Sequence, residues 1–411
     1  MVVSSVAVQI WGLTAGYLSW DEKSRCAVFA FDDNFLAKGL DIAPLEKSVH
    51  SANVRVPMYG NKEKRYAGLP RFIADSLPDQ WGNKVFDAWA SKNNIPKRQL
   101  TPLDRLSFMG SRGMGALEFI PAQLPNDTSK ALSAQDLVRT ALSLQDKRRQ
   151  IVAHIDSDLL LEDMYRVGTS AGGKRAKAII AMNEAGEIRS GQVELPEEYK
   201  YYILKINDAD FPFPEVEMAY YMMAKDAGIE MMPSRLLSVE GKYHFLTERF
   251  DRHNGEKKHI LTLAAMSDMA DSYEDIFTVM RLLKLPKARH EQMYRRLVMN
   301  ILGGNVDDHS KNFSFIMASD GKWDLAPAYD LLFSVDVDAP DYVNQHALSV
   351  CGKTSDITID DLLSFARMND IRQADILIQQ VQSVLLRWRE YAQQAHVPDK
   401  WIETIANYLL Q

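Results

Sequence analysis

An aspartate at 307, an asparagine at 312 and a second aspartate at 330 stand in the run Asn305-Val-Asp307-Asp308-His309-Ser-Lys311-Asn312 and the later pair Tyr329-Asp330. The flanks of the run are apolar. Leu297, Ile301 and Leu302 recur at helical spacing before it, and residues 313–316 read as a strand after it. Charged and amide side chains are thus placed where two buried elements meet. An Asp, then an Asn, then an Asp beyond a short hairpin is the order used by kinase-like phosphotransferases. There the first receives a hydroxyl proton, and the other two hold magnesium against nucleotide phosphates. Two rival readings fit the same residues. Asp307, Asp308 and His309 could ligate the metal of a hydrolase, although the other histidines supply no partner set at fixed spacing. Or the cluster is a polar turn at a helix end.

At 411 residues the chain is too long for one ordinary core, so two or three domains are expected. A hydrophobic share of 46% and a charged share of 25% fit a soluble globular protein. The net charge of -7 argues against nucleic-acid binding through bulk basicity. Cys26 and Cys351 are far apart and form no metal or redox motif, so both are expected as buried, reduced thiols of a cytoplasmic protein. Residues 2–20 carry no charge, but Ser4, Ser5, Gln9, Thr14 and Ser19 interrupt them and no basic segment precedes them. The alternation of Val6, Val8 and Ile10 predicts a strand hairpin there instead, and no span is long enough to cross a membrane.

Strands are predicted at 6–11, 17–20 and 26–31, then helices around 81–89 and over 134–153, the latter with Leu137, Leu142, Leu144 and Ile151 available for burial. Further strands follow at 178–182, 201–206, 235–239 and 243–248, interrupted by a helix over 214–227 that stops at Gly228. From 261 onward the pattern is helical, broken by short strands near 313–316 and 323–325, and it closes with helices over 372–392 and 398–410. This order predicts an α+β, two-lobed protein-kinase-like fold. Residues 1–125 form an N-terminal β-rich subdomain, 126–250 a nucleotide-binding N-lobe, and 251–411 a helical C-lobe with the catalytic loop. A nucleotide would lie between the lobes.

Other segments could serve that nucleotide. The turn Val167-Gly168-Thr169-Ser170-Ala171-Gly172-Gly173-Lys174-Arg175-Ala176-Lys177 precedes a strand. Gly172 and Gly173 would let backbone N–H groups approach phosphate oxygens, and Lys177 with its basic neighbours would add charge; otherwise it is a plain hairpin loop. Thr169 and Ser170 are hydroxyls that could themselves be phosphorylated. Lys205 is the one charge in the strand Tyr201-Tyr202-Ile203-Leu204-Lys205-Ile206. It either faces solvent or aims into a cleft, where Glu217 on the next helix would pair with it. In Tyr243-His-Phe-Leu-Thr-Glu248-Arg-Phe250-Asp-Arg252, the backbones of Glu248 and Phe250 could bind an adenine edge. The alternative is core packing for Phe250 and a surface pair of Glu248 with Arg249 or Arg252.

Taken in order, these segments resemble the HipA family of toxin kinases. The resemblance begins at Gly68-Leu-Pro-Arg-Phe-Ile-Ala-Asp75-Ser-Leu-Pro-Asp79-Gln-Trp-Gly82 and Met109-Gly-Ser-Arg-Gly-Met-Gly115-Ala-Leu-Glu-Phe119. It continues through the Gly-rich turn, Tyr202-Ile-Leu-Lys205, Thr247-Glu-Arg-Phe-Asp-Arg252, Asp307-x-His309-x-Lys311-Asn312 and Leu325-Ala-Pro-Ala-Tyr-Asp330. The resemblance implies an ATP- and Mg²⁺-dependent serine/threonine protein kinase, the toxin of a toxin–antitoxin pair. Asp307 would orient or deprotonate the substrate hydroxyl, Lys205 would bind phosphates, and Asn312 with Asp330 would bind magnesium. Glu248 with Phe250 would hold adenine, while His309 and Lys311 would support the loop and phosphates. It also implies a HipB-like helix-turn-helix antitoxin, contact with DNA only through that antitoxin, and a protein substrate among translation components such as an aminoacyl-tRNA synthetase. Autophosphorylation near the Gly-rich loop would fall on Thr169 or Ser170, where this chain departs from the family pattern. A small-molecule hydroxyl phosphotransferase of kinase-like fold, or a mainly antitoxin-binding co-repressor, are the alternatives.

Overall fold

Trp11 and Gly12 both take positive φ, 48° and 73°, the backbone that lets a tight hairpin follow the twist of its strands. Glycine adopts it freely, and Trp11 is tied there by its indole N–H, which donates to the Lys257 carbonyl at 2.6 Å. The expected first strand therefore ends at Ile10, and β1 (Ser5–Ile10) folds back as β2 (Leu13–Asp21). The computed structural model describes residues 3–123, 131–145, 164–165, 168, 175–253, 255–340 and 343–409. They form two compact units: Met1–Asp208 with Glu248–Leu261 and Ile316–Lys322, and Ala209–Thr247 with Thr262–Phe315 and Trp323–Gln411.

In the first unit β3 (Cys26–Phe31), β4 (Met58–Tyr59) and β5 (Leu117–Ile120) complete an antiparallel sheet of order β4-β3-β2-β1-β5. Val6, Val8 and Ile10 are buried while Ala7 and Gln9 are half-buried, the period-two burial expected from the sequence. Helix Gln80–Lys92 begins at Asp79, whose carboxylate accepts the Gly82 N–H at 2.7 Å. It buries Trp81, Val85, Phe86 and Trp89, and Phe86 meets Phe108 of helix Pro102–Met109 edge-on at 5.2 Å. The helix predicted over 134–153 is present as Ala134–Gln145, burying Leu137 and Leu144; Ile151 lies outside the described residues. Farther on, β6 (Lys177–Met182), buried throughout, pairs antiparallel with β7 (Ile188–Ser190) and β8 (Lys200–Lys205).

In the second unit, helix Phe213–Asp226 stops at Gly228, φ 76°, and β9 (Ser234–Val239) pairs antiparallel with β10 (Lys242–Glu248). Helices Tyr273–Leu282, Lys287–Leu302, Ile359–Met368, Ala374–Leu385, Trp388–Gln394 and Asp399–Leu409 follow. The single helix expected over 372–392 is two. The break lets Trp388 turn inward, where it packs edge-on against Tyr220 at 5.8 Å and donates its indole N–H to the Ile402 carbonyl at 2.9 Å. Cys26 is buried as expected; Cys351 is half-buried, because it sits on a turn at φ 51°. Among the described residues no helix is long and apolar enough to cross a membrane.

One packing choice carries a pH dependence. His259 is 1% exposed, with Nε2 2.9 Å from the Ile42 carbonyl, and burial pulls its pKa down to about 4. Its folded value lies below its unfolded one, so the unfolded chain binds the proton first as pH falls. The stability from keeping this ring neutral is present above pH 6.5 and lost on acidification toward pH 4. At 1.36 kcal/mol per pH unit the loss amounts to roughly 3 kcal/mol. Urea denaturation at pH 7 and pH 4.5 should show a steep loss of stability that His259→Gln makes shallower. A slope unchanged by the substitution would contradict this account.

Candidate active site

Helix Lys287–Leu302 delivers the polar run, and Gly303 and Gly304 end it. Gly304 has φ 64°, and a Cβ there would stand 2.9 Å from the rings of Phe333 and Tyr408, so only glycine makes the turn. Beyond it the two adjacent acids part company. The Asp307 side chain is 67% exposed, whereas that of Asp308 is fully buried. Asp308 Oδ2 accepts from the Tyr273 hydroxyl at 2.8 Å and lies 3.0 Å from His346 Nδ1, and its Oδ1 accepts from the Ala347 N–H at 2.8 Å. Burial first, and then the Asp308 carboxylate, push the Tyr273 phenol well above its ordinary pKa, which keeps it a donor. Asp308 is therefore the anchor of the loop, and Asp307 is the acid presented to solvent.

The remaining loop residues gather around Asp307. His309 Nε2 is 3.9 Å from its Oδ1, and Asn312, in the short 3₁₀ turn Ser310–Asn312, donates Nδ2 to the Asp307 carbonyl at 2.8 Å. That bond turns the donor end of the Asn312 amide onto the loop, so its oxygen is the end able to meet a cation. Lys311 is exposed; its carbonyl accepts from the Tyr329 hydroxyl at 2.8 Å, and the same hydroxyl sits 2.5 Å from Ser314 Oγ. Tyr329 thereby ties the segment bearing Asn312 to the segment bearing Asp330, whose backbone is left-handed at φ 52°. Asn312 and Asp330 line one small pocket together with Asn300, Asn305 and Arg296; Asp307 is not among its lining residues. Burial lowers the Arg296 pKa to about 10, so it remains a cation at neutral pH.

A carboxylate residue and an amide residue lining one pocket suit a hard divalent ion such as Mg²⁺, which takes oxygen ligands and keeps several waters or phosphate oxygens. The hydrolase alternative loses its ligand set, because both Asp308 oxygens are committed to protein donors. Among the described residues no group of three or more His, Cys, Asp or Glu is placed to hold a metal.

In the first unit, Lys205 is half-buried on β8, directly opposite Lys177 on β6. Lys177 was expected to add charge to a phosphate cradle. Its side chain is instead 3% exposed, with Nζ 3.2 Å from Asp79 Oδ2, while its carbonyl accepts the Trp81 indole N–H at 2.8 Å. An ammonium this deeply buried needs a counter-charge, and Asp79 supplies it. Thr169, Ser170, Gly172 and Gly173 lie outside the described residues.

Glu248 and Phe250 are half-buried on either side of Arg249, which is fully buried. The surface pair expected for Arg249 or Arg252 with Glu248 is not formed, since both guanidiniums turn in on Asp251. Arg249 holds it through two bonds, Nε to Oδ1 at 2.8 Å and NH2 to Oδ2 at 2.7 Å, and Arg252 NH1 reaches Oδ2 at 2.6 Å. The arginines also donate to the Gly113, Gly115 and Gly191 carbonyls, and the Gly115 N–H donates to Asp251 at 2.8 Å. Burial alone would raise the Asp251 carboxyl, but the two guanidiniums outweigh it and hold it well below the usual carboxylate range. The Arg249 N–H donates to the Tyr201 carbonyl of β8 at 2.8 Å, which fixes where Glu248 and Phe250 stand.

Comparison with known proteins follows the same outline. Residues 6–120 match the HipA N-terminal domain and residues 169–406 the HipA-like C-terminal domain. The serine/threonine-protein kinase toxin HipA of Shewanella oneidensis is 23% identical over 384 residues, covering 84% of this chain and 78% of that protein. Proteins carrying provisional kinase names from Haemophilus influenzae and Sinorhizobium fredii are 30% identical over 152 residues and 24% over 267. Those matches cover 32% and 58% of this chain, and only 44% and 59% of the relatives' own lengths. A chain in the structure of the Shewanella oneidensis toxin–antitoxin complex of HipA, HipB and operator DNA superposes with a TM-score of 0.70 at 17% identity. That superposition covers 98% of this chain and 95% of the other, so the two share a fold.

Proposed function

Because this chain belongs to the HipA family, we propose that it is an ATP- and Mg²⁺-dependent serine/threonine protein kinase acting as the toxin of a toxin–antitoxin pair. The observation that carries this reading is the pairing of Asn312 and Asp330 in one pocket, with the loop that presents Asp307 bonded to Asn312. Asn312 and Asp330 hold the magnesium, which when bound neutralises charge on the phosphates. Lys205 engages phosphate oxygens, and Glu248 and Phe250 receive the adenine edge. Asp307 orients a substrate hydroxyl and accepts its proton as the new P–O bond forms and the bond to ADP breaks. His309 and Lys311 support that loop and the phosphates. The protein forms no covalent bond of its own, so rate comes from placement and charge.

The substrate is a translation component, an aminoacyl-tRNA synthetase in the first instance. The partner is a helix-turn-helix antitoxin, through which alone the chain meets DNA; the Shewanella complex contains HipB and operator DNA. A small-molecule phosphotransferase would use the same loop, but it has no need of a domain matching residues 6–120. Autophosphorylation on Thr169 or Ser170 would put about two negative charges on that Gly-rich turn, which would repel nucleotide phosphates and so restrain the enzyme. The test is incubation with γ-labelled ATP and magnesium, with and without purified synthetases, against a chelator control. Label on a synthetase supports the reading, and its absence from every protein tried sinks it. Mass spectrometry finding no phosphate at 169 or 170 removes the self-modification.

A further inference from the structure

Asn305 opens the polar run, yet the chemistry above gives it no task. We propose that Asn305 is the positioning residue that holds the base-bearing and metal-bearing loops in a single register, an inference that rests on the phosphotransferase reading. The side chain is buried and spends both of its ends. Nδ2 donates to Asn300 Oδ1 at 2.9 Å and to the Asp330 carbonyl at 3.2 Å. Oδ1 accepts from Ser334 Oγ at 3.2 Å, and that hydroxyl accepts the Asp307 N–H at 3.0 Å. One amide therefore reaches the backbone of the metal aspartate directly and the backbone of the base through one hydroxyl. The rear of the amide is fixed as well: Asn300 Nδ2 donates to the Tyr273 hydroxyl at 2.9 Å, and Tyr273 donates to the buried Asp308 at 2.8 Å.

No isostere can do this. A carboxylate of the same shape only accepts, a leucine does neither, and a carboxamide donates at one end and accepts at the other. Asp330 also needs the restraint. At φ 52° its backbone is in a region that L residues enter reluctantly, and its carbonyl is held there by Asn305. Since a misplacement near 1 Å costs about a hundredfold in rate, a strut between the two loops has direct kinetic value.

The two arms can be cut separately. Ser334→Ala removes the link to Asp307, and should lower kcat roughly tenfold while leaving the magnesium concentration for half-maximal rate unchanged. Asn305→Asp keeps the shape and the Ser334 arm but loses the donor to Asp330. It should raise the half-maximal magnesium concentration roughly tenfold or more. Hydrogen exchange, which needs no turnover, should show faster amide exchange over 328–334 in Asn305→Asp and over 305–312 in Ser334→Ala. Unchanged magnesium dependence in Asn305→Asp overturns the proposal, as does unchanged exchange in 328–334. Should the unsubstituted protein transfer no phosphate, the functional reading fails on its own and exchange alone decides whether Asn305 couples the loops.

Discussion

Asp307→Asn should reduce phosphoryl transfer by roughly 10³-fold, the weight general-base placement commonly carries, while leaving the protein folded and able to bind Mg-ATP. The geometry separates these outcomes. The Asp307 side chain is 67% exposed, and among the described residues its one ionic neighbour within 4 Å is His309 at 3.9 Å, so its charge does little for the fold. Surface substitutions of that kind stay within about 0.5 kcal/mol. The groups that would hold magnesium and phosphate are other residues, Asn312, Asp330 and Lys205. Calorimetric titration with Mg-ATP and single-turnover transfer measured on the same preparation decide the matter. A variant that retains transfer within tenfold of the original, or that loses nucleotide binding as severely as transfer, removes Asp307 from the role of base.

Asp251→Ala should fail in the opposite way, by losing the fold before the chemistry. Removing the carboxylate leaves Arg249 and Arg252 as two buried like charges with no anion between them, at a cost of about 3–5 kcal/mol. That is a large part of the 5–15 kcal/mol that holds a typical domain together. A fall in melting temperature of about 10 °C or more, or insoluble expression, is the expected result. Asp251→Asn, which keeps the shape and loses the charge, should fall between. The contribution of this carboxylate is present above the ordinary carboxylate range and is lost only as pH drops through its lowered folded value, so mild acid should spare it. A soluble Asp251→Ala protein melting within 3 °C of the original would show that the cluster contributes little.

What could be read from the sequence was local. The alternation Val6, Val8, Ile10 reports burial because side-chain direction in a strand has period two. Asp307 and Asn312 were legible because their spacing is short and apolar elements flank them. The partners that give the loop its shape were not, since Tyr273 and His346 come from far along the chain and carry no motif. Asn300 left a fainter trace, a lone amide on an otherwise apolar stretch of helix. Arg249 and Arg252 could be read as surface partners of Glu248 because adjacency cannot tell whether charges face water or one another, and their turn inward onto Asp251 was not legible. The helix break at Leu386 was hidden because the contact that accompanies it, the Trp388 indole on the Ile402 carbonyl, joins residues of two different helices.

The Gly113–Gly115 carbonyls clasped by Arg249 and Arg252 also bear on how such chains can be cut and recombined. An expression clone starting after residue 125 would take from those two arginines the Gly113 and Gly115 carbonyls that hold them dry against Asp251. Grafting a foreign leader module onto the rest of the chain would succeed only if the newcomer brought its own glycine loop to the same spot. At this clasp the front portion and the segment bearing the two arginines form one hydrogen-bonded piece.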